Sequence, residues 1–114
     1  MATFTLRDRT FSCPVELCLS TVGSKWAALI VWHLRNDTLR YSEIRRRLTG
    51  VSHKMLAQRL RELEADGLVS RTVYAVVPPK TEYALTEEGQ RLVPALRAMQ
   101  QWGLAYKDTP EADQ

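Results

Sequence analysis

The chain contains only two cysteines, Cys13 and Cys18, too few to staple a secreted scaffold. Long apolar runs are also missing. The longest, Trp26 to Trp32, falls far short of the roughly 20 residues that a bilayer span needs. The opening MATFTLRDRT has neither the apolar segment nor the cleavage pattern of a secretory signal, so a cytoplasmic location without a membrane partner is expected. There is no phosphate-cradling glycine loop, acid pair or triad pattern, so neither an enzyme nor a cofactor is expected. Cys13, Cys18, His33 and His53 lack the tight spacing of metal ligands, and no metal site is expected. Internal repeats, low-complexity tracts and long linkers are absent as well.

What is present is one domain's worth of chain: 114 residues, 45% hydrophobic and 25% charged. The net charge of +3 is unremarkable, but its distribution is uneven. Between Arg35 and Arg61 lie eight basic residues and only two acids, Asp37 and Glu43, a local net charge of +6 that leaves −3 for the rest. A local positive field on a mildly acidic body is the pattern of a phosphate-binding face, although an arginine-rich solvated helix gives the same count.

Residues 1–12 lack periodicity and read as an arm, and the polar residues 107–114 read as a tail, leaving 13–106 as the domain. Pro14 suits the first turn of a helix that Gly23 stops near Val22. Ser24 can cap a second helix over Lys25 to Leu34, with Trp26, Leu29, Ile30 and Leu34 as its apolar stripe. Asn36 to Thr38 read as a turn. A short third helix, Tyr41 to Leu48, repeats apolar residues at Tyr41, Ile44 and Leu48. Gly50 breaks it, and Ser52 caps a fourth helix that reaches about Asp66 before Gly67. Two helices joined by a short glycine-containing turn predict a helix-turn-helix. The β-branched stretch Leu68 to Val77, then Pro78-Pro79, then Lys80 to Leu85, predicts a hairpin with a stiff tip. Thr86 caps a last helix with Glu87 and Glu88 in its first turn, and Pro94 is expected to kink it or mark a weakly bonded turn. The fold class is therefore α+β, a winged helix-turn-helix whose wing spans 69–85.

On the fourth helix Leu56, Leu60 and Leu63 fall in one narrow sector, while Lys54, Gln58 and Arg61 point the other way and Ser52 and His53 occupy the first turn. A recognition helix over 52–66 needs this division between an apolar back and a front of long polar side chains that can reach major-groove base edges. Arg45, Arg46 and Arg47, together with Arg40 ahead of them, are candidates for phosphate contacts, and Lys80 beside the wing tip is a candidate for the backbone or minor groove. An ordinary amphipathic surface helix would show the same outer face, and winged helices also serve as protein-interaction modules.

Several segments resemble the HxlR-type winged helix-turn-helix regulators: Cys13-Pro14-Val15-Glu16, Gly23-Ser24-Lys25-Trp26, Arg40-Tyr41-Ser42-Glu43-Ile44, Gly50 to Leu56, Leu60 to Val69, Val77 to Tyr83, Thr86-Glu87-Glu88-Gly89 and Trp102-Gly103. The resemblance covers residues 12–104 in one register. It implies a homodimer built from the N- and C-terminal helices, to which Leu92, Leu96, Met99 and Trp102 would contribute. It also implies double-stranded DNA as partner, with a pseudo-palindromic operator whose half-sites lie about one helical turn, ~34 Å, apart. The family pattern often carries Gln-Arg where this chain has His53-Lys54, so the base preference is not transferable. Some similar regulators sense oxidants or electrophiles through the cysteine matching Cys13, and helix N-termini favour reactive thiolates. The other reading makes Cys13 a small buried residue and Cys18 a core one, which the habits of free cysteine favour. A regulator answering a small-molecule effector, with no redox role, is a further alternative.

Overall fold

The computed structural model describes residues 2–108. Five helices and two small antiparallel sheets follow one another in the order β1 (Phe4–Leu6), β2 (Arg9–Phe11), α1 (Pro14–Val22), α2 (Lys25–His33), β3 (Leu39–Arg40), α3 (Tyr41–Arg47), α4 (His53–Ala65), β4 (Val69–Tyr74), β5 (Lys80–Leu85) and α5 (Glu87–Leu104). No single helix among the described residues is long and apolar enough to cross a membrane.

The helix limits follow local chemistry. Pro14 enters α1 at its first turn, where its missing N–H has no intrahelical partner to lose. The hydroxyls of Ser24, Ser52 and Thr86 accept from Ala27, Met55 and Gly89 N–H and so cap α2, α4 and α5. Gly50 and Gly67, at φ +93° and +81°, supply left-handed turns on either side of α4 that a side chain would strain. Pro94 lies inside α5, which remains one continuous helix from Glu87 to Leu104.

Ile30, Val31 and Leu34 from the α2 segment meet Ile44 and Leu48 from α3 and Leu56, Leu60 and Leu63 from α4 in one buried cluster, closed by Leu39, Val69, Tyr83 and Leu96. Each fully buried leucine contributes roughly 1.5–3 kcal/mol over an exposed one. The second sheet has the order β3-β5-β4. Its β4–β5 ladder runs from Val69 opposite Leu85 to Tyr74 opposite Lys80. Pairing stops there, short of the expected Val77, because Pro78 and Pro79 cannot donate ladder hydrogen bonds. Directly after the expected turn, Leu39 and Arg40 pair with Tyr83 and Glu82 as a short third strand.

Residues 1–12, expected as an arm without regular structure, contain a hairpin. Phe4, Thr5 and Leu6 pair with Phe11, Thr10 and Arg9 around a two-residue turn in which Arg7 takes φ 59°. The hairpin is fastened to the body by charge. Arg7 Nη1 and Arg9 Nη2 both donate to Asp66 Oδ1, at 3.2 and 3.0 Å, and the Asp66 side chain is only 5% exposed. Arg9 also reaches Ser20 of α1. Elsewhere, Thr86 ties the start of α5 to the turn after α4: its Oγ1 donates to the Gly67 carbonyl at 2.6 Å and its N–H to that of Leu68 at 3.0 Å.

Asp66→Ala should lower unfolding free energy by about 1–3 kcal/mol, the loss expected for charge-assisted hydrogen bonds at a shielded carboxylate. Urea denaturation would measure this, and faster tryptic cleavage at Arg7 and Arg9 should accompany it. An unchanged midpoint would show that the hairpin is not held by this contact.

Candidate nucleic-acid interface

The α3-turn-α4 unit presents one continuous face. With Leu56, Leu60 and Leu63 fixed in the core, Lys54 and Arg61 lie exposed on the other side of α4, and Ser52 and His53 are exposed at its N-terminal end. Gln58 is half-buried, and its Nε2 donates to Glu62 Oε2 at 3.3 Å. Arg45 and Arg46 are exposed on α3, and Arg40 is exposed just before it. Glu43 Oε1 accepts from the Arg40 N–H at 2.7 Å, which secures the start of α3.

Not every arginine of the basic stretch is free. Arg47 pairs with Asp37 at 3.6 Å, and Arg59 pairs with Glu62 at 2.7 Å. Arg35 lies over the Trp32 ring, 3.8 Å from its centroid, and donates to the Trp32 carbonyl. Arg40, Arg45, Arg46, Lys54 and Arg61 form no ion pair among the described residues. These five give the face its unneutralised charge.

The same charges shape nearby titrations. Burial lowers the His33 pKa from its usual value, and the positive charges of Arg47 and Arg35 lower it further. At Glu62, desolvation acts upward, but hydrogen bonds from Arg59 and Gln58 together with the charges of Arg59 and Arg61 outweigh it, and the carboxyl is held below its usual range. On the wing, the hydrogen bond and charge of Glu82 raise the Tyr74 phenol.

Two grooves flank α4. One, of about 560 Å³, is bounded by Tyr41, Ser42, Arg45, Arg46, Gly50 and His53. The other, of about 400 Å³ between α4 and the wing, includes Tyr41, Arg61, Glu64, Arg71 and Tyr83. Tyr41 and Arg71 were not among the sequence candidates. Tyr41 sits at a core-like spacing yet is only half-buried, and its hydroxyl contacts His53. Arg71 is exposed on β4, opposite Tyr83; alternation puts it on the same face as the buried Val69, so periodicity gave no signal for it.

Lys80 differs from expectation. Rather than extending from the tip it is half-buried, with Nζ 4.5 Å from the Tyr74 ring centroid and 3.9 Å from Glu82 Oε2. The cross-strand pairing of Tyr74 with Lys80 brings the ammonium group onto an aromatic face within its own wing.

The proposed interface residues on α5 divide. Leu96 is 7% exposed and belongs to the chain's own core, because α5 packs this turn against α2. Leu92 is half-buried. Met99 and Trp102 are 62% and 70% exposed, and Trp102 stands against Tyr106 with ring centroids 4.8 Å apart. Val15 and Leu19 on α1 are also exposed. Cys13, the N-cap residue of α1, is exposed rather than buried, whereas Cys18 is partly covered by the core.

Comparison with known proteins gives a consistent result. The family described as HxlR-like helix-turn-helix matches residues 21–111. A protein of Fusobacterium mortiferum named MalR and described as regulatory is 46% identical over 98 residues, covering 85% of this chain and 92% of that one. The HTH-type transcriptional regulator YkvN of Bacillus subtilis is 45% identical over 105 residues, covering 92% and 89% respectively. Among solved structures, the redox regulator HypR in its oxidized form superposes with a TM-score of 0.80 at 44% identity, covering 85% of this chain and all of that one. Its reduced form gives the same TM-score at 43% identity, over 88% and 99%.

Proposed function

The chain belongs to the HxlR-like helix-turn-helix family of transcriptional regulators, a non-enzyme class, and from that premise we propose that it binds double-stranded DNA sequence-specifically as a homodimer. The observation that carries this reading is the unpaired cationic set Arg40, Arg45, Arg46, Lys54 and Arg61, arrayed around a helix whose back is locked in the core. Helix α4 enters the major groove, where Ser52, His53, Lys54 and Gln58 face base edges. Arg40, Arg45 and Arg46 contact phosphates and set the register. The wing, including Arg71, lies along the flanking backbone or minor groove, and Lys80 contributes once displaced from Tyr74.

Exposed apolar residues on α1 and α5 favour self-association: Val15, Leu19, Met99 and Trp102 each leave more than half of their surface uncovered. Two-fold symmetry then requires a pseudo-palindromic operator with half-sites about one helical turn, ~34 Å, apart. A cytoplasmic location goes with this role. Responsiveness to oxidants or electrophiles through Cys13 is a second reading, favoured by the exposed thiol and by the similarity to a redox regulator. A small-molecule effector could serve instead, for which the apolar cleft of about 250 Å³ between Leu29, Trp32, Leu96 and Met99 offers room.

Fluorescence anisotropy of the reduced protein with duplex from its own upstream region, against scrambled duplex across a salt series, tests DNA reading. Tight, selective and salt-sensitive binding is expected. Arg45→Ala combined with Arg46→Ala removes four cations from the dimer, so it should weaken binding to every duplex alike and reduce the salt slope by about three to four. Salt-insensitive or absent binding would favour a protein-interaction module. Sedimentation should give a dimer for the natural chain and a weakened one for Trp102→Ala. Cys13→Ser should bind DNA normally when reduced and lose any response to oxidant; an unaltered response would assign sensing elsewhere.

A further inference from the structure

Tyr41 and His53 come from different helices and meet at the N-terminal end of α4. Their rings are parallel within 3°, with centroids 6.0 Å apart. The Tyr41 hydroxyl oxygen is 3.2 Å from His53 Nδ1 and also 3.2 Å from the His53 carbonyl oxygen. A phenol carries a single proton. The carbonyl can only accept, so the hydroxyl donates to it and turns a lone pair toward Nδ1. That second contact is attractive only when Nδ1 bears hydrogen. In a neutral imidazole one ring nitrogen donates and the other accepts, so hydrogen on Nδ1 leaves a lone pair on Nε2.

We propose that Tyr41 is a positioning residue for base recognition, holding His53 as the Nδ1–H tautomer so that Nε2 accepts from the exocyclic amino group of adenine or cytosine. In the major groove adenine N6 and cytosine N4 are donors, whereas guanine N7 and O6 and thymine O4 are acceptors that would oppose the Nε2 lone pair. His53 thereby distinguishes amino-bearing from keto-bearing bases at one operator position. The charged residues that bound the groove beside it are Arg45 and Arg46 from α3, and Lys54 follows it on α4. They are matched to phosphates, which leaves the base edge to the imidazole. This inference rests on α4 being the recognition helix and adds the hydrogen-bond polarity of its first turn.

Two readouts test it. Nitrogen-15 NMR of the neutral imidazoles, with His33→Gln for assignment, reports the tautomer of His53 directly. Selection from a randomised duplex library, run in parallel for the natural chain, His53→Ala and Tyr41→Phe, reports base preference. Phenylalanine keeps the ring stack and removes only the hydroxyl. The natural chain should show Nδ1–H and select adenine or cytosine at the position whose preference His53→Ala erases. Tyr41→Phe should lose the tautomer bias and reduce that preference about three- to tenfold, the range of one hydrogen bond, with other positions and nonspecific affinity unchanged. An Nε2–H tautomer, guanine or thymine at that position, or an unchanged Tyr41→Phe profile would overturn the positioning role alone. A natural chain that selects no sequence would overturn DNA reading and the base contact together.

Discussion

The rotation of α4 about its own axis is the constraint on which the rest depends. Leu56, Leu60 and Leu63 are buried against the side chains of the α2 segment and α3, so the helix cannot turn without exposing all three. A large-to-small change at any of them would cost about 2–5 kcal/mol, a large share of a small domain's stability. Because that back is fixed, the identity of the exposed residues is fixed too. Ser52 serves both sides of this arrangement: its hydroxyl caps the helix, and its place in the first turn puts it beside His53 and Lys54 at the outer surface.

Charge on this face is selected by subtraction. Asp37 takes up Arg47, Glu62 takes up Arg59, and Trp32 takes up Arg35. What remains is a tighter group than the sequence count suggests. The pairings also give the neutralised arginines structural roles, so the basic stretch is not one uniform patch. On the wing the same logic runs in reverse: Glu82 and Tyr74 hold the lysine nearest the tip close to the strand, and Arg71 is the exposed cation nearer α4.

Elements announced by punctuation were legible in the sequence. Pro14, Ser24, Ser52, Gly67 and Thr86 act through their immediate neighbours, and helix limits read from them agree with the structure to within a residue or two. Elements that exist only through distant partners were not. The short strands β1 and β2 have little alternation to display, and their anchor, Asp66, lies more than fifty residues away. Strand β3 is two residues long and is defined by β5. The candidate site shows the same division. Exposure of Lys54 and Arg61 follows from helical periodicity, but the burial of Leu96 depends on α2 and the withdrawal of Lys80 on a cross-strand ring. Tyr41 has the spacing of a core residue, and spacing reports which face a side chain occupies, not what its hydroxyl touches.

The junction at Thr86 leaves the chain without slack. Gly67 ends the turn after α4, and its carbonyl is bonded to the hydroxyl that caps α5, so the two helices meet at a single clamped point with the wing looped out between them. Such a molecule behaves as a bent lever rather than as beads on a string. In any two-fold assembly built on α5, the angle at which two copies of that helix cross determines the separation of the two α4 helices. A change of a few degrees there would be read at the far end as a change of reach.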